Sequence, residues 1–567
     1  MHLQSKIYNQ TVNQNIYMLR ITEIKLPLTS AQEKGHSEAE IRAAVIKKLA
    51  INVADLLTLT IFKRGIDARK SSAILLVYSL DVTVNGEAKV LAKLSRDPHV
   101  KLSPDSSYQF VAKASATIKH RPVVIGFGPA GIFAALILAQ AGFKPIVLER
   151  GKAVKERTKD TFNFWRKSSL NPESNTQFGE GGAGTFSDGK LWSQIKDPKH
   201  YGRKVLQEFV AAGAPPEILY VSHPHIGTYR LVSMVEQMRN TIVSLGGEIR
   251  FESRVDEFEL CIDSRAIQQV QAVILASGER ISTQHVVLAV GHSARDTFEM
   301  LVKNNIYVEA KPFSIGFRIE HPQSLIDKAR FGANAQHPIL GAADYKLVHH
   351  ASNNRSVYSF CMCPGGTVVA AASEVGRVVT NGMSQYSRNE RNANAGIVVG
   401  ITPDVDYPTE KSPYGVLAGM QLQRDLEAQA FVLGGSNYAA PAQLIGDFLS
   451  NTASTGFGSV TPSYTPGVHL TNLETALPEF AITAIREAIP QFAKQIKGFD
   501  LADGLLTGVE TRTSSPIRIK RDDVTLQSIN TKGLYPCGEG AGYAGGILSA
   551  GVDGIRVAEM LSLSLVS

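Results

Sequence analysis

The stretch RPVVIGFGPAGIFAALILAQAGFKPIVLERG, Arg121 to Gly151, decides the fold. Val123, Val124 and Ile125 form a short apolar run, and Gly126, Gly128 and Gly131 follow as G-x-G-x-x-G at the head of an apolar segment of helical length. A second apolar run ends on Glu149, 18 positions beyond Gly131. Strand, glycine turn, helix and strand make one βαβ unit. The first glycine permits the tight turn, the second lets backbone approach a diphosphate, and the third lets helix and strand pack closely. The helix N-terminus, with Pro129 and Ala130 in its first turn, offers free N–H groups and a partial positive charge to an anion. Glu149, followed by Arg150, can accept hydrogen bonds from a ribose diol and would repel a 2′-phosphate, so FAD or NAD is expected over NADP.

Which dinucleotide is read at the far end of the chain, in GLYPCGEGAGYAGGILSAGVDGIRVAEML, Gly533 to Leu561. Here Gly538 and the acidic Glu539 precede a turn at Gly545 and Gly546, and a helix opens near Ile547. The carboxylate can hold a ribityl hydroxyl, and the helix start can place N–H groups against the pyrimidine edge of a flavin, where reduction develops negative charge. A plain nicotinamide site needs nothing of this kind, so FAD is the expected cofactor.

The rest of the chain bounds the function. Its 567 residues are 44% apolar and 20% charged, an ordinary globular composition, and the length suggests about three or four domains. The net charge of +7 is a mild bias toward anionic ligands, read as a solvated surface and not as a nucleic-acid footprint. The four cysteines contain no C-x-x-C, which fits a reducing, cytoplasmic compartment. The N-terminal 17 residues lack the apolar core of a signal peptide, and Met18 can equally serve as the start. The run from Val123 to Phe143 approaches the ~20 residues of a membrane span, but its early glycines make it a buried strand, turn and helix, so no membrane association is expected.

Organisation follows from periodicity and turns. After a tail, 1–17, residues 18–118 read as a small α+β domain. It holds a helix opening on Ser37 with Glu40 at N3, a strand in SAILLVYSLDVTVNG, and a basic turn, Lys63 to Lys70, between them. The FAD-binding domain is expected from 119–305 and 500–567, with a mixed α+β substrate domain, 306–499, inserted. The spacing of Leu422, Leu426, Ala430 and Leu433 marks a core-facing helix.

The two dinucleotide segments resemble the glutathione-reductase type of FAD fold. Further motifs, FGEGGAGTFSDGKL (Phe178 to Leu191), CMCPGG (Cys361 to Gly366), TNGMS (Thr380 to Ser384) and GVETRTSS (Gly508 to Ser515), resemble a family of uncharacterised FAD-dependent dehydrogenases over nearly the whole chain from Met18. The resemblance implies that Gly126, Gly128, Gly131 and Glu149 serve the ADP half, that Val255 meets the adenine through its backbone, and that Gly291 lines the pyrophosphate side. Glu539, where many relatives carry Asp, and Gly546 would serve the flavin half. Gly181, Gly182, Thr185 and Lys190 would lie beside the isoalloxazine. It says little about the substrate.

No second strand-led G-x-G-x-x-G follows Gly151, so the chain lacks the NAD(P) domain of disulfide reductases. Reduction is left to the substrate itself, to NADH or NADPH as a diffusible donor, or to a partner protein. Lys190 and Arg512 are the catalytic candidates, the first near the flavin, the second as a planar clamp for an anionic substrate, with a buried ion pair the equal alternative for each. Asn381 and Arg388 could line a substrate cavity. Cys361 and Cys363, two apart on a predicted strand, share a face but suit a disulfide poorly and read as structural thiols. His223, His225, His349 and His350 lack further clustered ligands, so no metal site is expected. The reading is a cytoplasmic α/β FAD-dependent oxidoreductase acting on a small molecule; an FAD-dependent RNA-modifying enzyme and a non-catalytic FAD-binding protein are the alternatives.

Overall fold

Val123–Ile125 is apolar on both faces and buried throughout, as a central parallel strand must be. In the computed structural model, which describes residues 18–115, 120–264 and 267–567, it is the middle strand of a five-stranded sheet. The order is Leu534–Pro536, Val286–Leu288, Val123–Ile125, Ile146–Leu148 and Glu248–Arg250, with every neighbouring pair parallel. The C-terminal strand thus enters the sheet with only Val286–Leu288 between it and the N-terminal βαβ unit, and this carries the residues after Pro536 to the glycine turn.

Helix Pro129–Gln140 is buried from Ala130 to Ala139, which explains its apolar run without a membrane. It packs against the C-terminal helix Ile547–Val566. A Cβ on Gly554 would stand 2.3 Å from the Ala130 carbonyl oxygen, so the two backbones meet where only glycine fits. Buried Arg521 pairs with Asp553 of the C-terminal helix at 2.6 Å, and Asp553 accepts the Gly538 N–H at 2.8 Å, tying that helix to the loop after the edge strand. Among the described residues no helix is long and apolar enough to cross a membrane.

The region between the segments of the parallel sheet builds one mixed sheet of eight strands. Phe313–Pro322, buried at its first nine positions, is hydrogen-bonded antiparallel to Asn392–Ile401 on one side and Leu505–Glu510 on the other. Ser356–Ala370 and Thr380–Ser384 extend it on one flank, Ala440–Leu444 and Val468–Leu470 on the other. Leu505–Glu510, placed by sequence with the FAD-binding segment, therefore belongs to the eight-stranded sheet, and the chain rejoins the parallel sheet only at Leu534–Pro536.

The described residues up to Ser106, with Leu219–Ser222, form a separate compact unit. It is a four-stranded antiparallel sheet, in the order Leu56–Asp67, Leu75–Val84, Leu19–Pro27 and Val100–Leu102, with helix Glu38–Leu49. The helix opens on the expected capping box, Ser37 accepting from the Glu40 N–H and Glu40 from the Ser37 N–H. The basic turn is a correction. Lys63 to Asp67 continue a strand in register with Ser79 to Leu75, because cross-strand pairing satisfies their backbone and leaves the charged side chains at the surface.

Candidate functional site

A cavity of about 560 Å³ opens at the C-terminal ends of the parallel strands, the crevice where open α/β sheets bind ligands, and is large enough for most of a cofactor. Gly126, at φ 94°, makes the turn from strand to helix, and a Cβ there would lie 2.4 Å from the Ala289 carbonyl oxygen. A Cβ on Gly131 would lie 1.9 Å from the Gly126 carbonyl oxygen, so this glycine lets the helix settle on the turn. At Gly128 a Cβ would find only ordinary contact, 3.5 Å from the Gly182 Cα; the protein alone does not require glycine there. Gly128 caps the helix without a side-chain hydrogen bond, and Pro129 has no N–H, so the first-turn amides of Ala130 and Gly131 face a missing acceptor.

The second glycine-rich loop lies directly on the first. The Gly181 N–H donates to the Phe127 carbonyl at 2.8 Å, and Gly182 abuts Gly128. Fully buried Arg157 holds this loop from behind, donating to the carbonyls of Asn175 and Glu180 at 2.7 Å and Thr176 at 2.9 Å. Glu149 lines the cavity with its carboxylate gripped by the N–H groups of Phe127, Gly151 and Gly179 at 2.8 to 2.9 Å. One of its oxygens accepts from Phe127 alone and keeps a lone pair for another donor. Arg150, also on the wall, stacks over Phe178 at 4.1 Å and pairs with Glu173 and Asp296.

The C-terminal segment supplies the opposite wall. A Cβ on Gly545, Gly546 or Gly291 would meet nothing within 4 Å, so all three open onto the cavity. Gly546 starts the C-terminal helix, again with no side-chain cap, and Ile547 lies beside it. Glu539 faces the cavity; burial pushes its carboxyl up to about 7 even with Lys311 opposing the shift. Val255 lies at the end toward Glu149.

Four of the sequence candidates stand behind this wall. Gly131 supports the turn and Gly538 lies against Ala130. Thr185 is buried with its hydroxyl on the Glu180 carbonyl, and a Cβ on Gly181 would clash with that hydroxyl at 2.0 Å. Lys190 lines the cavity with its ammonium on the Met362 carbonyl and 3.9 Å from Asp188. Arg512 also reaches the wall, but Glu427 grips its fork at 2.7 and 2.9 Å, and Ser373 and Ser293 take further N–H groups. Arg295 donates to the same Glu427 at 2.7 Å. Burial alone would raise the Glu427 carboxyl, and the two arginines outweigh it and hold it well below the usual carboxylate range. Arg388, by contrast, is occupied by Asp188 at 3.0 Å.

Sequence reasoning missed the buried charges of the eight-stranded sheet. Arg318 and Glu510 form a buried bidentate pair at 2.9 Å, with Glu510 on the cavity wall and Asn381 accepting from Arg318 at 3.3 Å. The signal was present, since an arginine inside the apolar strand FSIGFRIEHP needs a buried carboxylate. Glu427 was hidden in the helical stripe of Ala418–Leu433, whose buried face also carries Gln423. His292 lines the cavity as a neutral imidazole, pushed down to about 3 by burial and by Arg512 and Arg295. His225 is bonded to the Tyr386 carbonyl and His349 to Glu487. Among the described residues no group of three or more His, Cys, Asp or Glu side chains is placed to hold a metal.

The residues fit FAD on three counts: two uncapped helix N-termini, glycines open to the cavity, and a carboxylate at each end. The fold is an α/β fold with a parallel sheet that can hold FAD in this cavity. Residues 312–513 match the family model "FAD-dependent protein, C-terminal domain-like", and residues 18–83 match a domain of unknown function. An uncharacterized protein of Clostridium beijerinckii is 48% identical over 516 residues, 91% of this chain and 94% of the relative. The chain belongs to that family of uncharacterised FAD-dependent proteins, and FAD is its cofactor. Solved structures are far more distant. E. coli quinol fumarate reductase FrdA is 12% identical with a TM-score of 0.34, over 79% of this chain and 70% of that one. L-proline dehydrogenase from P. horikoshii is 11% identical at TM-score 0.32 over 79% and 94%, and CtdE in complex with FAD is 13% identical at 0.28 over 78% and 84%.

Proposed function

We propose that the protein is an FAD-dependent dehydrogenase or reductase of a small, anionic molecule. The observation that carries the reading is one continuous cavity with an uncapped helix start at Gly128 and another at Gly546, about four hundred positions later in the chain. In this reading the amides after Gly128 bind the diphosphate, Glu149 takes a ribose hydroxyl on its remaining lone pair, and Val255 lies along the adenine. Glu539 holds a ribityl hydroxyl, and the amides after Gly546 meet the pyrimidine edge and favour negative charge there. FAD, when bound, supplies two-electron chemistry.

The substrate end lies between Lys190, Lys346, Phe360 and Asn381, all on the cavity wall. Two lysines there favour a carboxylate or similar anion. Lys190 touches the substrate, whereas Arg512 acts as a positioning residue, because its fork is already committed to Glu427. NADH or NADPH would reach the flavin by diffusion. The test is a variant at an open glycine. Gly546→Val should fold, since the new side chain meets only space, yet bind FAD at least about tenfold more weakly, a loss of ~1.4 kcal/mol or more. Undiminished FAD content in that folded variant removes the placement. Anaerobic mixing of the yellow holoprotein with NADH and NADPH then tests the donor by bleaching of the flavin.

A further inference from the structure

The segment Cys361–Met362–Cys363 breaks the regularity of its strand at the cavity. Pairing of Ser356–Ala370 with Asn392–Ile401 slips between Phe360 and Cys363, and Cys361 takes a left-handed φ of 44°. The slip undoes the simple alternation that would point two residues along a flat strand with their sulfurs spread apart. Instead, Cys363 Sγ donates to the Cys361 carbonyl at 3.3 Å. Both cysteines are free thiols. Cys361 is on the cavity wall, and Cys363 is buried behind it.

Two cations are pinned on this segment. Arg318 donates to the Cys361 carbonyl at 3.0 Å, and the Lys190 ammonium sits on the Met362 carbonyl. The carboxylates of Asp188, Glu510 and Glu539 face the same end of the cavity, but Asp188 is bound by Arg388 and Glu510 by Arg318. The neighbouring Cys363 thiol, with Lys190 and Arg318, lowers the Cys361 thiol well below its ordinary range, while the Cys363 thiol is pushed up by the neighbouring sulfur and by burial. An accessible thiolate next to a protonated thiol is the arrangement of an attacking and a resolving cysteine.

We propose that Cys361 and Cys363 form a redox-active dithiol–disulfide couple that exchanges an electron pair with the flavin in the same cavity. The inference rests on the flavin end lying at Glu539 to Gly546. In the oxidative direction the Cys361 thiolate and the Cys363 thiol join in one S–S bond. Two electrons and the Cys363 proton pass to the oxidised flavin, which is left reduced and anionic beside the helix start at Gly546. The reverse reaction cleaves the S–S bond and returns the proton to Cys363. The fully oxidised holoprotein therefore accepts four electrons, two on each partner.

Anaerobic dithionite titration of holoprotein first oxidised with diamide and freed of the reagent tests this. Wild type should take up four electrons per FAD, and Cys361→Ser and Cys363→Ser two each. The peptide bearing both cysteines should be two mass units lighter in the oxidised wild type. At the half-reduced stage a long-wavelength absorption band, from thiolate against oxidised flavin, should appear in wild type and vanish in Cys361→Ser. Uptake of only two electrons by wild type with both thiols still open to iodoacetamide overturns the couple, and so does a four-electron uptake without the band. Both readings on wild type stand even if a variant fails to fold. A preparation that binds no FAD at all would instead sink the cofactor placement.

Discussion

The two ends of the cavity are built from opposite materials. At the dinucleotide end the wall is backbone: amides after Gly128, Gly126 pressed on the Ala289 carbonyl with Gly131 supporting the turn from behind, and one carboxylate, Glu149, held by three N–H groups. At the opposite end it is side-chain charge, with Arg318 on Glu510, Arg295 and Arg512 sharing Glu427, and Lys190 on the Met362 carbonyl. Backbone makes a ligand site that depends on local sequence and little else. Buried charge makes one that exists only when distant elements close on it, and each charge there is costly if its partner is lost.

The largest expected effect comes from breaking that charge. Glu427→Ala leaves Arg295 and Arg512 buried and facing each other, and should cost ~3–5 kcal/mol in urea unfolding. A loss under about 1 kcal/mol, the range of exposed pairs, would show the network to be solvated. Next is the backbone end. Gly131→Ala forces a methyl group to 1.9 Å from the Gly126 carbonyl oxygen, so helix or turn must move; the expected cost is ~1–3 kcal/mol, with FAD content falling alongside. Gly546→Val separates these consequences, since it should lose the cofactor and keep the stability of the FAD-free protein.

The smallest effect concerns Glu539. Its carboxyl is pushed up to about 7 in the folded chain, so between the ordinary carboxylate range and pH 7 the folded state holds a proton that the unfolded state has lost. Its contribution to stability is complete at acid pH and is lost as pH rises toward 7. Glu539→Gln should therefore flatten the stability of the FAD-free protein across that window; an unchanged slope in chemical unfolding at pH 5, 6 and 7 would place the carboxyl in contact with solvent.

Features set by near neighbours were legible in the chain. The capping box of Ser37 and Glu40 spans three positions, and Gly131 is required by the Gly126 carbonyl five positions before it. What failed was long in range. Arg512 reads equally as a clamp and as an ion pair until Glu427, 85 positions away, is brought against it. Lys63 to Asp67 read as a turn by composition, yet the partner strand Leu75–Val84 holds them extended. Leu505–Glu510 lies close in sequence to the FAD-binding return but is claimed by Phe313–Pro322.

By itself, then, the amino-acid order determined that a dinucleotide would be held, because glycine turns, a helix start and an acidic strand end act through backbone geometry over a few residues. Only the tertiary structure decided what stands opposite that dinucleotide. It slipped one strand by a residue between Phe360 and Cys363, and it closed arginines on the buried carboxylates of Glu427 and Glu510. Those pairings are matters of distance between remote segments, which spacing along a chain does not specify.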